Sequence, residues 1–104
     1  MESIAFSKNW NNKLNCNYFT TIRPKTDKYK INEVYQVVDN SKSVENFKAK
    51  CVILIHAKLE DIPALTIYLD CGFDKAGFHS LMKSFYKERA ESLMYSIILL
   101  NKLT

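Results

Sequence analysis

The sequence predicts one α+β domain in which short helices cap one end of a small, partly open mixed β-barrel. The chain has 104 residues, which is enough for a single hydrophobic core. Its residues are 47% hydrophobic and 25% charged, the composition of a folded globular protein. Apolar residues alternate or cluster in strand-length runs, whereas helical spacing is strongest between residues 61 and 87. We therefore expect one domain over residues 1–104, with no linker or repeat.

The predicted strands are runs rich in β-branched and aromatic residues, or runs with alternating polarity. Pro24 ends one of them, and the turn residues Asn40 and Ser41 end the next. The last run, from Leu93 to Leu100, is almost uniformly apolar, as expected of a buried strand. The predicted strands span residues 3–7, 18–23, 33–39, 47–58 and 92–101.

The longest predicted strand has the clearest pattern. Its odd positions are all apolar and are expected to face the core: Phe47, Ala49, Cys51, Ile53, Ile55 and Ala57. Its even positions are apolar only in the middle, so the other face is expected to be partly covered. Twelve residues exceed the usual strand length, which predicts a bend or a β-bulge within this strand.

Three helices are expected. Ser7 can cap a short helix over residues 7–14. A second helix over 61–70 begins at an acidic turn with a proline and ends at Gly72. We expect it to bury one face: Ile62, Leu65 and Leu69.

Asp74 can cap the third helix, over residues 74–87. Its apolar side chains recur at the spacing of one helix face, which indicates core residues rather than a ligand box. These residues are Phe78, Leu81, Met82, Phe85 and Tyr86.

Cysteine usage and hydropathy indicate a cytoplasmic protein without a membrane span. No apolar run approaches the roughly 20 residues that a spanning helix needs, and the N-terminus has no apolar signal core. The three cysteines form no CxxC pair, so we expect no disulfide framework, no metal site and no cofactor. Cys51 is expected in the core, whereas the sequence does not decide whether the Cys71 thiol is buried or reactive. The oligomeric state is also left open.

Positive charge is concentrated in the first half of the chain. Residues 1–58 hold ten Lys or Arg against five Asp or Glu, a net charge of +5, whereas residues 59–104 have a net charge of −1 from five against six. The segment Arg23–Lys30 holds four cations and one acid. It is either a solvated loop or a patch that faces the phosphates of a nucleic acid.

Three motifs occur in the order found in a known family. The stretch Thr20-Thr21-Ile22-Arg23 lies at a predicted strand end, and Tyr29–Tyr35 follows the basic segment. Then Asp70-Cys71-Gly72-Phe73-Asp74 precedes Phe78 by four residues. Together these motifs resemble the ASCH domain family of the PUA-like superfamily, over about residues 3–103.

The resemblance implies a PUA-like barrel with a cleft that binds RNA or a nucleotide-like small molecule. In this chain it places the threonines, the arginine and the aspartate of these motifs at the cleft, and the basic segment adds three lysines. The candidate ligand-binding residues are Thr20, Thr21, Arg23, Lys25, Lys28, Lys30 and Asp70.

The same resemblance implies an enzymatic alternative. Some small members hydrolyse the acetyl group of N4-acetylcytidine with a lysine, a threonine and a glutamate. Thr21 matches the threonine, but Tyr18 stands at the lysine position and Asp70 is the nearest acid. A tyrosine with a pKa near 10 is a poor base at neutral pH. Lys13 or Lys25 would have to supply the base from another element.

Two further alternatives concern Arg23 and the long strand. The Arg23 guanidinium either binds a ligand phosphate or forms an ion pair with Asp70 or Asp74 that holds the helices on the sheet. The partly covered face of residues 47–58 could instead make the chain a protein-interaction module.

Overall fold

Five strands form one mixed sheet in the order β1-β3-β4-β5-β2. The computed structural model describes residues 1–103. The strands are β1 (Ser3–Phe6), β2 (Tyr18–Pro24), β3 (Val34–Asp39), β4 (Phe47–Lys58) and β5 (Met94–Lys102). Strand β1 runs parallel to β3, and the other neighbouring strands are antiparallel. The α+β class and all five predicted strands are confirmed.

Two α-helices lie on one face of this sheet: α1 (Ala64–Cys71) and α2 (Lys75–Tyr86). Three short 3₁₀ helices span Trp10–Asn15, Leu59–Asp61 and Lys87–Arg89. Asp74 caps α2 as predicted, because its side chain accepts a hydrogen bond from the Gly77 N–H at 2.7 Å. Within residues 1–103, no helix is long and apolar enough to cross a membrane.

The sheet is curled but not closed. Strands β1 and β2 are its two edges, and no ladder joins them within residues 1–103. A flat five-stranded sheet would hold its edges about 19 Å apart. Here the Arg23 side chain on β2 donates a hydrogen bond to the Ala5 carbonyl on β1, and the Phe6 and Phe19 rings lie 6.1 Å apart. Side chains, rather than main-chain pairing, therefore join the two edges.

Two hydrophobic cores occupy opposite faces of the sheet. The inner face of the curl buries Phe6, Phe19, Tyr35 and Ile98 among others. The opposite face, here called the helix face, packs against α1 and α2 through residues such as Ile22 and Tyr95. Strand β5 lies between β4 and β2, and it supplies side chains to both cores because they alternate between the two faces of the sheet.

Strand β4 contains the predicted bulge, which overturns part of the predicted core face. Cys51 pairs with Leu100 and Ile53 with Leu99, so one extra residue is inserted between them. The insertion reverses the alternation, and Leu54 then packs against the inner core. Ile53 and Ile55 were predicted to be buried, but they lie 47% and 53% exposed on the helix face.

The helix predictions need two corrections. The segment predicted as a helix over 7–14 is instead the 3₁₀ helix Trp10–Asn15, in which two asparagines adopt left-handed backbone conformations. Helix α1 begins at Ala64 and buries Ile67 and Cys71, whereas the predicted core residues Leu65 and Leu69 are exposed. The helix sits over β2, so the face that carries Asp70 turns inward.

Candidate functional site

A cavity of about 510 Å³ opens where the two sheet edges meet the helices. Residues 5–7, at the end of β1, line one side, and Thr21, Ile22, Arg23 and Pro24 of edge strand β2 line another. Asn40 contributes from the end of β3, which is parallel to β1. The volume lies in the range of small-molecule pockets, which is about 300–1,000 Å³.

Arg23 is anchored in this cavity, and none of the described residues gives it an acidic partner. Its Nε donates to Thr21 Oγ1 at 3.0 Å, and its Nη2 donates to the Ala5 carbonyl. The guanidinium carbon lies 4.8 Å from the centre of the Phe6 ring, within cation–π range. Within residues 1–103, Arg23 forms no ion pair, so of the two alternatives for Arg23 the ion pair with Asp70 or Asp74 is wrong.

Asp70 is paired with Lys13 instead. Lys13 Nζ lies 3.0 Å from Asp70 Oδ1, and the two residues are only 6% and 5% exposed. Thr20 Oγ1 donates to the same carboxylate oxygen at 2.8 Å. Both members of the pair line the cavity, whereas Thr20 supports Asp70 from the helix face of β2. Sequence analysis named Lys13 as one possible source of a base, but no spacing indicated its contact with Asp70.

Burial changes the acid–base character of Lys13. Desolvation lowers the pKa of its ammonium group below the usual value for lysine. The charge of Asp70 and its hydrogen bond oppose this shift, and the nearby Arg23 charge adds to it. Lys13 is therefore an ion-paired cation that releases its proton more readily than a surface lysine does.

Apolar side chains form another part of the cavity lining, here called the apolar wall. It includes every residue of the predicted α2 stripe: Phe78, Leu81, Met82, Phe85 and Tyr86. Phe78 and Met82 are buried as predicted, but Phe85 is 55% exposed, so the stripe is only partly core. Trp10 completes the wall and packs edge-to-face on Phe73, with ring centres 5.5 Å apart. Sequence analysis missed this wall, because core and pocket residues share the same helical spacing.

The three predicted loop lysines do not line the cavity. Lys25 and Lys30 are exposed. Lys28 is held against β1 by a hydrogen bond to the Ser3 carbonyl, with Glu2 4.0 Å away. Thr26 and Tyr29, from the same loop, do line the cavity. The segment Arg23–Lys30 therefore contributes Arg23, Thr26 and Tyr29 to the cavity, whereas its three lysines lie outside the lining.

A rigid turn carries Asn40 to the cavity. The buried carboxylate of Asp39 accepts hydrogen bonds from the N–H and Oγ of both Ser41 and Ser43, and from the Val44 N–H. The pKa of Asp39 lies well below its usual value, mainly because the two serine hydroxyls donate hydrogen bonds to its carboxylate. The Asn40 N–H donates to the Phe6 carbonyl at 2.8 Å, which fixes the turn on β1.

Cys71 lines the cavity but is unsuited to nucleophilic chemistry. Its Sγ donates to the Ile67 carbonyl at 3.4 Å, and burial raises the pKa of the thiol. Cys51 is fully buried in the inner core, as predicted. Among the described residues, no group of three or more His, Cys, Asp or Glu side chains is arranged to hold a metal ion.

Comparison of the chain with protein-family models, curated proteins and solved structures finds no match.

Proposed function

We propose that this protein is a PUA-like domain of the ASCH type that binds RNA or a nucleotide-like small molecule in the cavity. The observation that carries the proposal is that Arg23, which has no acidic partner among residues 1–103, lines the same cavity as a wall of aromatic and apolar side chains. A guanidinium suits a phosphate, and aromatic rings suit the face of a base. The curled, open sheet supports the family resemblance, since a partly open barrel also brings two edge strands together.

The basic loop gives the cavity a second means of attracting RNA. Lys25 and Lys30 are exposed on the loop that also contributes Thr26 and Tyr29 to the cavity, and in this proposal they contact the phosphates on either side of a bound nucleotide. Such contacts add affinity without sequence preference. In this proposal the cavity holds one nucleotide unit and the loop holds neighbouring phosphates.

Trp10 allows a direct test, because it is the single tryptophan of the chain and lines the cavity. Titration with single-stranded RNA or mononucleotides should change Trp10 fluorescence with saturation. Ribose 5-phosphate, which has the phosphate but no base to stack, serves as the control ligand and should produce a smaller change. If neither RNA nor any mononucleotide binds, by fluorescence or calorimetry, the proposal is wrong.

One observation favours an amidohydrolase acting on N4-acetylcytidine as a second candidate. Lys13 reaches the same cavity as Thr21 and has a lowered pKa, which compensates for Tyr18 at the family's lysine position. Tyr18 itself is 58% exposed and does not line the cavity. In this proposal Lys13 first releases its proton to solvent, and its neutral amine then accepts the Thr21 hydroxyl proton while Asp70 positions Lys13.

The reaction would proceed through an acyl-enzyme. Thr21 Oγ1 attacks the acetyl carbonyl, the C–N bond breaks, and cytidine leaves with a proton from Lys13. Water then hydrolyses the threonine ester to release acetate. Incubation with N4-acetylcytidine should yield cytidine and acetate in equal amounts, and Thr21→Val should abolish the reaction. Thr66, on α1, is half-buried and does not line the cavity, so Thr66→Val is the matched control and should retain most of the activity.

A further inference from the structure

The charges inside the cavity leave a net charge of +1. Three charged residues line it, namely Lys13, Arg23 and Asp70. Two cations and one carboxylate give +1, and the charges of Lys13 and Asp70 cancel in the 3.0 Å ion pair. The uncompensated charge is therefore that of Arg23. The exposed lysines of the loop lie outside the cavity lining and are screened by water.

We propose that the cavity selects a nucleoside phosphodiester, whose phosphate has one negative charge, over a phosphomonoester. This inference rests on the proposed nucleotide-binding function and names its ligand class. A phosphodiester has a charge of −1, whereas a monoester has −1.5 to −2 at pH 7. In a partly enclosed site, the additional charge of a monoester would lose hydration without gaining a second cation.

The free donors of Arg23 fit this ligand. A guanidinium has five N–H donors, of which Thr21 and the Ala5 carbonyl use one each. Nη1 keeps both of its N–H groups and Nη2 keeps one. These groups can donate to the two unesterified oxygens of a phosphodiester. The contacts with Thr21, Ala5 and the Phe6 ring hold the guanidinium in place before the ligand binds.

The cavity size limits the ligand to about one nucleotide. Pockets near 510 Å³ enclose a single drug-sized molecule. The phosphodiester can therefore come from one unit of an RNA chain or from a cyclic mononucleotide. Both sources share the same chemistry, and competition between them distinguishes the two. If only other RNA displaces a bound five-nucleotide RNA, the cavity recognises one unit of an RNA chain. If micromolar cyclic nucleotide displaces it, the ligand is a free cyclic mononucleotide.

The test compares probes that share a nucleoside and differ in the charge and esterification of the phosphate, with binding to the full chain followed through Trp10 fluorescence. The probes are cytidine, cytidine 5′-monophosphate, its phosphate methyl ester and 3′,5′-cyclic CMP, with the adenosine series in parallel. At pH 8 we expect both diesters to bind at least 10-fold more tightly than the monoester. At pH 5 the monoester has about one charge, because its second pKa is near 6, so the difference should fall below threefold.

A variant at the cavity opening tests the cause of this preference. Thr26 is exposed and lines the cavity, so Thr26→Lys adds one positive charge without disturbing the core. This variant should bind the monoester at least as tightly as the diester at pH 8. Thr26→Gln has a similar size without the charge and should keep the wild-type preference.

The outcomes separate this inference from the proposed function. If the monoester binds as tightly as the diesters to the wild-type chain at pH 8, the charge inference is wrong and nucleotide binding stands. An unchanged preference in Thr26→Lys would also overturn it. If no probe and no RNA bind, the proposed function itself fails.

Discussion

Lys13 and Asp70 form a buried ion pair in the cavity wall, with Nζ 3.0 Å from Oδ1, although 57 residues separate them in the chain. The pair joins the 3₁₀ helix Trp10–Asn15 to α1 across edge strand β2. Thr20 donates to the same carboxylate oxygen, so all three groups depend on one another. The pair contributes no net charge to the cavity, so Arg23 supplies the uncompensated one, and it ties α1 to the 3₁₀ helix.

Removal of one member of this pair should strongly destabilise the fold. Lys13→Met leaves the Asp70 carboxylate buried without its cation, and we expect a loss of about 3–5 kcal/mol in the free energy of unfolding. The double variant Lys13→Met/Asp70→Leu should recover much of that loss, because both charges are gone. Urea unfolding of the single and double variants measures the difference. A single-variant loss below about 1 kcal/mol would contradict the burial of the pair.

Arg23→Lys should weaken nucleotide binding more than it weakens folding. Lysine keeps the charge but lacks the planar fork, so we expect affinity to fall by about 1–3 kcal/mol. Calorimetric titration and thermal melts measure the two effects separately. Lys25→Ala, outside the cavity, is the control and should change the affinity for mononucleotides little. Lost stability with intact binding would show that Arg23 only joins the sheet edges.

RNA binding should depend on salt through the loop lysines. Each phosphate contact on a single strand contributes about −0.7 to the slope of log affinity against log salt concentration. Lys28 is already engaged with Ser3, so Lys25→Ala/Lys30→Ala should flatten the slope by about 1.4 and Lys28→Ala by less. Fluorescence anisotropy with labelled RNA over a range of KCl concentrations tests this. An affinity that does not vary with salt would favour a small uncharged ligand.

Acid should loosen the turn that carries Asn40. Because the folded-state pKa of Asp39 is lowered, its stabilising contribution is present above the unfolded value near 3.9 and is lost as the pH falls below it. Asp39→Asn removes this titration, so its melting temperature should vary less between pH 5 and pH 2 than that of the wild-type chain. Thermal melts over this range measure the effect. Parallel curves for the two proteins would contradict the prediction.

The bulge in β4 predicts that Ile55 contributes little to stability, whereas strict alternation along the strand predicts that Ile55 belongs to the core. Ile55 is half exposed, so Ile55→Thr should change the free energy of unfolding by no more than about 0.5 kcal/mol. Ile98 is fully buried on the neighbouring strand, and Ile98→Ala should cost about 2–5 kcal/mol. Chemical denaturation of both variants tests the contrast. A large loss in Ile55→Thr would mean that something covers this face.

Much of the secondary structure follows from local sequence. The strand ending at Pro24 and the Asp74 cap depend on residues that are close in the chain, and both were predictable. The bulge in β4 was expected from strand length, but its position at Cys51–Ile53 was not. That position depends on the pairing with β5, which no single segment encodes.

The sequence by itself determined the α+β class and the five strands, because strand patterns and caps are local properties. Thr21, Arg23 and Asp70 were candidates through the family resemblance, and the structure brings them to one cavity. Only the tertiary structure decided that Asp70 pairs with Lys13 and not with Arg23, and that the stripe on α2 forms a cavity wall. The physical reason is that ion pairs and cavities are set by distances between segments far apart in the chain. These distances follow from how the sheet curls, which joins Arg23 on one edge to Ala5 on the other.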